Sequence, residues 1–455
     1  MSRGSGEKLN GTTGIADVLA KFIRETKLEN IPPETLRFTK ELSLKTLAGM
    51  VAGSATGAAK PIIDYVKDTQ SFPDAGVIGC KFKSSLENSI LANGHFAHAA
   101  ELEDDQFPSV TSDITVIPVI FPLAEKLEIS GGEVVEATAV ALEVMNRVGM
   151  FSLAYKGITD LPFFGVIGAA VAAAKALKLD ENQIKNAIGI AIGRASGYIE
   201  NFGTDAHYFE SSMACRDGYF AALMAQKGLT GTWNIEKWLR QLHDREDLPT
   251  EDVVKDLGKP RWHAHNFWIK KYPCCFLTHR QIDIMFLIKA KHQLTPDNIE
   301  LIEIDAGPVD ATCDRPSPKH VEDSRFSFQH IMAGILIDGD VSYDTFTEEK
   351  ITHPAFKKIR EKVKVIHRND WIPEFNSGIA RVAVKFTSGK TIEETAEQPL
   401  GGSKNPLTQD QFLELYKKYT KGFLSDRQIA ETAKMILGLE DQPNVGQLMQ
   451  ILTSG

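Results

Sequence analysis

An all-helical domain interrupted by an α+β lid, with C-terminal helices returning to the helical domain, is the fold this sequence predicts. Apolar residues recur at helical spacing through roughly the first 270 positions. Alternating segments then cluster between Leu301 and Ile392. Helical spacing resumes after Gly401, Gly402 and Pro406. A chain of 455 residues also exceeds one ordinary core. We therefore expect a helical domain over 1–270, a lid over 271–402 and completing helices over 403–455.

Pro33 and Glu34 open the first clear helix, with Leu36, Leu42, Leu44, Leu47 and Val51 at helical spacing and Gly53 closing it. Gly132 to Val148 is a second, apolar enough to be buried. Phe164 to Leu177 is rich in Gly and Ala, whose small side chains let helices approach closely, so it is expected at the centre. Asp180, with Gln183 three residues on, predicts an N-cap and capping box. Leu301 to Ala306 and Ala380 to Phe386 alternate, and the latter meets Lys390 to Ile392 across Thr387-Ser388-Gly389 as a hairpin. Ser327 to Leu336 reads as a helix between strands. Thr408 should cap a helix carrying Phe412, Leu413 and Tyr416, and another runs from Asp426 to Leu437.

Composition narrows function. Hydrophobic content of 43% with 24% charged residues describes a soluble globular chain. A net charge of -9 and a pI near 5.8 exclude nucleic acid or an anionic membrane as the main partner. An anionic small substrate stays compatible, since a basic pocket can sit inside an acidic protein. The five cysteines are odd in number and scattered, as expected for reduced intracellular thiols. The N-terminal MSRGSGEKLNGTTG lacks the apolar core of a signal peptide. Apolar runs such as Ile114 to Ala124, broken by Pro118 and Pro122, fall short of membrane length. A cytoplasmic protein without a membrane span is expected.

Two segments concentrate chemistry. Asn93 to Gln106 (NGHFAHAAELEDDQ) places Glu101, Glu103, Asp104 and Asp105 within five positions, after His95 and His98. Continued as a helix at about 100° per residue, it puts His98, Glu101 and Asp105 on one face, with Glu103 and Asp104 pointing elsewhere. Crowded carboxylates repel, and protonating one relieves the repulsion, which leaves an acid beside a base. The plain alternative is a solvated acidic helix end. Trp268 to Arg280 (WIKKYPCCFLTHR) falls at the expected domain junction, a favoured place for clefts. There Lys270, Lys271 and Arg280 are candidates to neutralise substrate carboxylates, His279 to move protons, and Cys275 to donate a weak hydrogen bond. A basic surface turn around Pro273 is its plain alternative.

Weaker signals accompany these. His207 reads as a loop histidine before an Ala-rich helix, and Arg147 as either a buried ion-pair partner or a surface cap. No metal site is expected: Cys274 and Cys275 are adjacent, C-x-x-C and H-E-x-x-H are absent, and His263-x-His265 is too little. The acidic run lacks the spacing of a calcium loop. GGSK at Gly401 to Lys404 is not a P-loop, and no G-x-G-x-x-G follows a strand.

Taken in order, several segments resemble the MmgE/PrpD family, which includes 2-methylcitrate dehydratases, cis-aconitate decarboxylases and iminodisuccinate epimerases. Asn93-Gly94 onward is similar to the family's N-G-x-x-x-H-x-x-D-x-D-D-T segment, and Phe164 to Lys175 to its Gly/Ala helix. Ala195-Ser196-Gly197 resembles the end of the following helix. Tyr272-Pro273-Cys274-Cys275 with Thr278-His279 resembles its Y-P-C-C-x-x-T-H form. Ser324 to Ser327, Asp338-Gly339 and Asn405-Pro406-Leu407 complete the series. The resemblance covers nearly the whole chain. It implies the fold drawn above, a homodimer, a site between the domains, and no metal or organic cofactor. It also implies chemistry at a carbon beside a carboxylate, where a base removes a proton or CO2 leaves, and cationic groups hold the developing charge.

The match departs from the family pattern at several positions. The first Asp of the acidic motif is Glu101 here, and its Thr is Asp105. Two family histidines align with Thr111 and Thr159, and a family lysine with His207, whereas the junction lysine is kept as Lys270. Fewer cations favour a less charged acid than a tricarboxylate. The expected activity is a 2-methylcitrate-dehydratase-like hydro-lyase acting on a small carboxylic acid without a cofactor. The alternatives are epimerisation of the iminodisuccinate type, cis-aconitate-type decarboxylation, and a non-catalytic ligand-binding member. Asp105 or His207 would take the proton, Lys270 would hold the carboxylate, and His279 would protonate the leaving hydroxyl or orient Lys270. Glu101, Thr111, Thr159, Lys271 and Cys275 would contact substrate. Lys270→Ala is expected to leave folding intact while abolishing turnover.

Overall fold

The computed structural model describes residues 14–107, 109–259 and 261–454. The N-terminal stretch read for a signal peptide lies outside these residues, apart from Gly14.

The helical part is built around α1 (Pro33–Gly53), α2 (Leu86–Ala99), α3 (Gly131–Val148), α4 (Asp160–Ala176) and α5 (Asp205–Gln226). Helix α4 lies at the centre, packed against α3 and α5. Only Phe163 and Lys175 of its residues reach partial exposure. Its Gly/Ala content is the reason: few side chains stand between its backbone and those of its neighbours. Helix α2 packs against both α1 and α5. Gly94 permits the second contact, because a Cβ there would sit 2.9 Å from Cys215 Sγ and 3.2 Å from Ser212 Cα. Pro33 starts α1, and Ser130 caps α3 through a capping box with Glu133. The box predicted at Asp180 and Gln183 is formed.

A small antiparallel sheet ties the acidic segment to the junction. Strand β1 (Asp105–Gln106) pairs on one side with β2 (Thr111–Ser112) and on the other with β3 (Phe267–Trp268). Asp105 faces Trp268 across the last pairing, which brings Lys270 to Glu101 and Glu103, 169 and 167 positions upstream.

Beyond the junction, α6 (His279–Lys291) precedes a four-stranded sheet of β4 (Ile299–Ala306), β5 (Val363–His367), β6 (Ala380–Phe386) and β7 (Thr391–Ala396), ordered β5-β4-β6-β7. Strands β4 and β5 run parallel, the other pairs antiparallel. The β6–β7 hairpin forms where predicted. The parallel strand β5 was not anticipated, although Val363 and Val365 alternate. Helix α7 (Phe328–Ile337), capped by Ser327, packs on α6. The closing helices α8 (Gln409–Thr420), capped by Thr408 with Gln411, and α9 (Asp426–Leu437) pack back on α1. The helical and α+β parts and the returning helices are thus those expected. Among the described residues, no helix is long and apolar enough to cross a membrane.

Candidate active site

Helix α2 does not continue through the acidic run. It ends at Ala99, and Glu101 takes a left-handed conformation at φ 53°, its N–H donating to the His98 carbonyl. The chain then runs to strand β1, so His98, Glu101 and Asp105 do not meet through helical periodicity. Nor is the run a solvated helix end: Glu101, Glu103, Asp104 and Asp105 are all buried. Buried charges need partners, and two lysines supply them.

Lys45, from α1, binds Asp104 Oδ1 at 2.8 Å and the Leu102 carbonyl. The same Asp104 oxygen accepts the Lys270 backbone N–H at 2.8 Å, and the Asp104 N–H donates to Asp113 Oδ1. Thr46 and Ser112 hydroxyls complete the shell of Asp113. Burial, and then the Asp104 charge, push the Asp113 carboxyl up to about 8.

Lys270, fully buried, bridges Glu101 at 3.0 Å and Glu103 at shorter range. Glu103, expected to point away, is therefore part of the site. Burial works against the ammonium, but the Glu101 and Glu103 charges outweigh it and hold the Lys270 pKa above its ordinary value. Asp105 lies beside this pair with Oδ1 unpartnered. Burial and the Glu103 charge raise its carboxyl well above the usual range, against the opposing pull of Lys270. That shift favours the protonated form of Asp105 beside its ionic neighbours.

His207 lies in the first turn of α5, not in a loop, and is buried. Its ring sits 4.3 Å from that of His98 and 4.6 Å from Phe202. His98 Nδ1 meets Ser211 Oγ at 2.6 Å, while its Nε2 has no partner and stands 3.9 Å from Glu103. Burial and the neighbouring His207 keep the His98 pKa well below its usual value, so its imidazole is neutral. From sequence, His98 is set on a helix face with Glu101 and Asp105 without a catalytic or binding role; its contacts with Ser211 and His207 arise from the packing of α5 beside α2.

These groups surround a cavity of ≈ 30 Å³. Glu101, Glu103, Asp105, Thr159, His207 and Cys275 line it, together with Phe107, Phe202, Phe276, Phe326 and Phe375. The Phe residues come from the acidic loop (Phe107), the segment before α5 (Phe202), the junction (Phe276) and the lid (Phe326, Phe375), so apolar walls surround polar groups. Thr159 Oγ1, Glu101 Oε1, Glu103 Oε2 and His207 Nδ1 are buried without partners. A wider cleft of ≈ 840 Å³ lies nearby, and Glu322 and Arg325 are among its lining residues. Tyr208 stands between the two, its hydroxyl on Glu322 and its ring 5.2 Å from His98.

Four expected site residues lie off the cavity lining: Lys270, which meets it through Glu101 and Glu103, and three that are held elsewhere. Thr111 donates to Asn146 Oδ1 at 2.8 Å. Lys271 is held by Asp283 at 2.7 Å. His279 stacks on Phe276 at 4.7 Å with Nε2 3.3 Å from the Cys274 carbonyl, and burial with the Lys270 charge holds its pKa well below the usual value. Arg280 is likewise committed, to Asp310 at 3.0 Å and to the Gly378 carbonyl. Arg147 proves to be the buried ion-pair partner, with Glu143 at 2.5 Å. The expectation that Lys270→Ala leaves folding intact is also corrected, because it would strand two buried carboxylates at a cost of about 3–5 kcal/mol.

His98, Glu101 and His207 are the one set among the described residues whose donor atoms converge closely enough to hold a metal ion, within 4.8 Å of one another. Lys270 already occupies one oxygen of this set, Glu101 Oε2. Sequence-motif spacing says nothing about such a set, since it is assembled from separate helices.

Comparison with known proteins gives this site its context. The MmgE/PrpD N-terminal domain profile matches residues 17–237, and the MmgE/PrpD C-terminal domain profile matches residues 272–441. The cis-aconitate decarboxylase of Mus musculus is 25% identical over 463 residues, covering 96% of this chain and 93% of that protein. The human cis-aconitate decarboxylase is 24% identical over 96% of this chain and 94% of its own length. That of Aspergillus terreus is 24% identical over 97% and 96%. With both domains matched in order across most of its length, the chain belongs to the MmgE/PrpD family.

Proposed function

We propose that this protein is an enzyme, a cofactor-independent lyase of a small carboxylic acid, which starts by removing a proton from the carbon beside a carboxylate. The observation that carries this is the convergence on one cavity of Asp105, of Glu101 and Glu103, both held by Lys270, and of His207, whose ring packs on His98. Such a set offers a proton donor, a proton acceptor and a cation for developing negative charge. His207 takes the proton, Asp105 returns one or protonates the leaving group, and Lys270 holds the carboxylate through its third N–H. Thr159 and Cys275 touch substrate from the wall, and Glu101 fixes Lys270.

Loss of water, as in a 2-methylcitrate-dehydratase-like hydro-lyase, is the overall outcome we place first. Epimerisation is the second reading, favoured because Asp105 and His207 reach the cavity from separate elements, as a two-base exchange requires. Decarboxylation, the activity in the names of the relatives, stands behind these. The positions where the family carries two histidines and a lysine hold Thr111, Thr159 and His207 here. We also propose the domain division at 270 and 402, a homodimeric assembly and a cytoplasmic location. The cavity of ≈ 30 Å³ has room for about one water molecule, so the Phe wall must part for an acid to enter.

Proton NMR in D2O with methylcitrate, citrate, cis-aconitate, malate, iminodisuccinate and aspartate tests the proposal. Deuterium entering the α position with a new vinyl signal is the expected result, and exchange without net conversion selects the epimerase reading. No exchange with any acid would favour a ligand-binding protein over an enzyme.

A further inference from the structure

The small cavity and the wide cleft are divided by two short segments that face both. Segment 202–208 gives Phe202 and His207 to the cavity but Thr204 and Asp205 to the cleft. Segment 322–326 divides likewise, with Phe326 on the cavity and Glu322 and Arg325 on the cleft. Arg315 ties the two segments, donating to the Phe202 carbonyl at 3.0 Å and to Asp323 at 2.8 Å. Tyr208, wholly buried, joins them a second time through its hydroxyl on Glu322. The cavity has room for about one water molecule, whereas the cleft of ≈ 840 Å³ can take a whole small molecule.

Arg325 is the feature of the cleft that points to a ligand. It is 3% exposed, and among the described residues its side chain makes one hydrogen bond, from Nη1 to the Ala99 carbonyl at 2.9 Å. Its Nε is buried without a partner, 3.5 Å from the Glu322 oxygen that Tyr208 already engages. A guanidinium carries five donors, and unmet donors in a buried place destabilise. The side chain is nevertheless fixed. Its charge lies 5.5 Å from the Tyr343 ring, and Tyr343 in turn donates to the Ala100 carbonyl at 2.9 Å. A rigid, under-used fork matches the two oxygens of a carboxylate. Exposed Lys418 and Lys421 add positive charge, while Asp205, Glu322 and Glu348 line the same cleft. That balance suits a single carboxylate better than a phosphate dianion. Ala52, Ala55, Phe346 and Phe423 supply apolar wall for the rest of the acid.

We infer that the cleft is an outer binding site for the substrate acid, in which Arg325 receives a carboxylate before the molecule passes between the two segments into the cavity. The inference rests on the proton-removal reading of the cavity and adds the route to it. Arg325 and Tyr343 hold the carbonyls of Ala99 and Ala100, immediately before Glu101, so an acid on Arg325 sits where the acidic loop begins. Passage requires the Phe202 and Phe326 rings, 5.5 Å apart, to separate and the Tyr208 hydroxyl to leave Glu322. Glu322, once released, closes on Arg325 and displaces the acid inward.

Calorimetric titration with succinate, propionate, tricarballylate and inorganic phosphate tests this on the full chain and three variants. At least one carboxylate is expected to bind the wild type. Its binding should weaken at least tenfold in Arg325→Gln and in Ala55→Cys carrying a bulky maleimide. In His207→Asn, which lines only the cavity, it should stay within threefold. Ala55 is exposed, so the labelled variant decides the matter even where Arg325→Gln fails to fold. Unlabelled Ala55→Cys and wild type treated with the same reagent account for the substitution and for the native cysteines. Absence of carboxylate binding overturns the inference. So does binding that survives both cleft changes or is lost only in His207→Asn, which would confine the acid to the cavity. Tighter binding of phosphate than of every carboxylate would assign the cleft to phosphate and overturn it too. The two proposals fail separately. A carboxylate held at Arg325 without α-deuteration of any acid in D2O would keep the outer site and remove the proton-abstraction reading. Deuteration undiminished in labelled Ala55→Cys would do the reverse.

Discussion

Glu103, Asp104 and Asp105 are consecutive and equally buried, yet they belong to two regions of opposite character. Asp104 turns toward Lys45, where Asp113, Thr46, Ser112 and the Lys270 backbone close a nearly complete network; Asp104 Oδ2 is its one unpartnered oxygen. Glu103 and Asp105 turn toward Lys270 and leave oxygens without partners at the cavity. The residue types are the same and the burial is the same. Each of the three keeps one oxygen without a partner; access to the cavity is what differs, and it separates charge that holds a loop in place from charge held ready for a ligand.

The comparison can be broken at several points. The largest expected effect is His207→Asn: removing the proposed base should slow α-deuteration of the best substrate by ~10²–10⁴-fold, with unfolding unchanged within experimental error. An unimpaired rate would remove His207 from the chemistry. Lys45→Met strikes the other region. It strands Asp104 and should lower unfolding free energy by about 3–5 kcal/mol, read by denaturant titration, whereas protein still folded should keep its exchange rate within a few-fold.

Asp113→Asn acts through pH. The folded carboxyl is raised to about 8, so between the ordinary carboxylate range and pH 8 the folded state holds a proton that the unfolded state has released. Stability from this group is full at acid pH and declines as pH rises toward about 8. Asp105 and Asp160, whose carboxyls burial also raises, Asp160 to about 7, act in the same direction. Denaturation midpoints of wild type and Asp113→Asn measured from pH 5 to 9 isolate the Asp113 share, with a shallower decline expected in the variant. A decline of equal steepness would show that Asp113 is ionised in the folded protein. The smallest effect is expected of Thr111→Val, which loses one buried hydrogen bond to Asn146, about 0.5–1.5 kcal/mol, and should leave exchange untouched because Thr111 does not reach the cavity.

Local signals in the sequence were sufficient for much of the fold. Caps at Asp180 and Thr408, the Gly/Ala pattern of α4 and the hairpin at Ser388-Gly389 each act within a few residues, so the chain states them directly. The acidic motif and Lys270 were legible as a site for the same reason. The break after Ala99 was not, because it depends on Glu101 adopting a left-handed turn that helical periodicity hides. The burial of the acidic run was not either, since Lys45 lies 59 positions before Asp104 and Lys270 lies 167 after Glu103. His98 and the Phe wall emerge only when α2, α5 and the lid are packed together. Lys271 and His279 were chosen by neighbourhood in sequence and Thr111 by its alignment with a family histidine, and local hydrogen bonds and stacking hold all three off the cavity lining.

The most direct test of the division between the two regions is one rate comparison in D2O. Deuterium incorporation into the best substrate would be followed for Glu103→Gln and Asp113→Asn side by side, normalised to folded protein. A loss of at least a hundredfold in the first and less than threefold in the second is the expected result. Equal losses would contradict it, showing that the acidic loop acts as one structural unit and that the unpartnered oxygens at the cavity have no part in proton transfer.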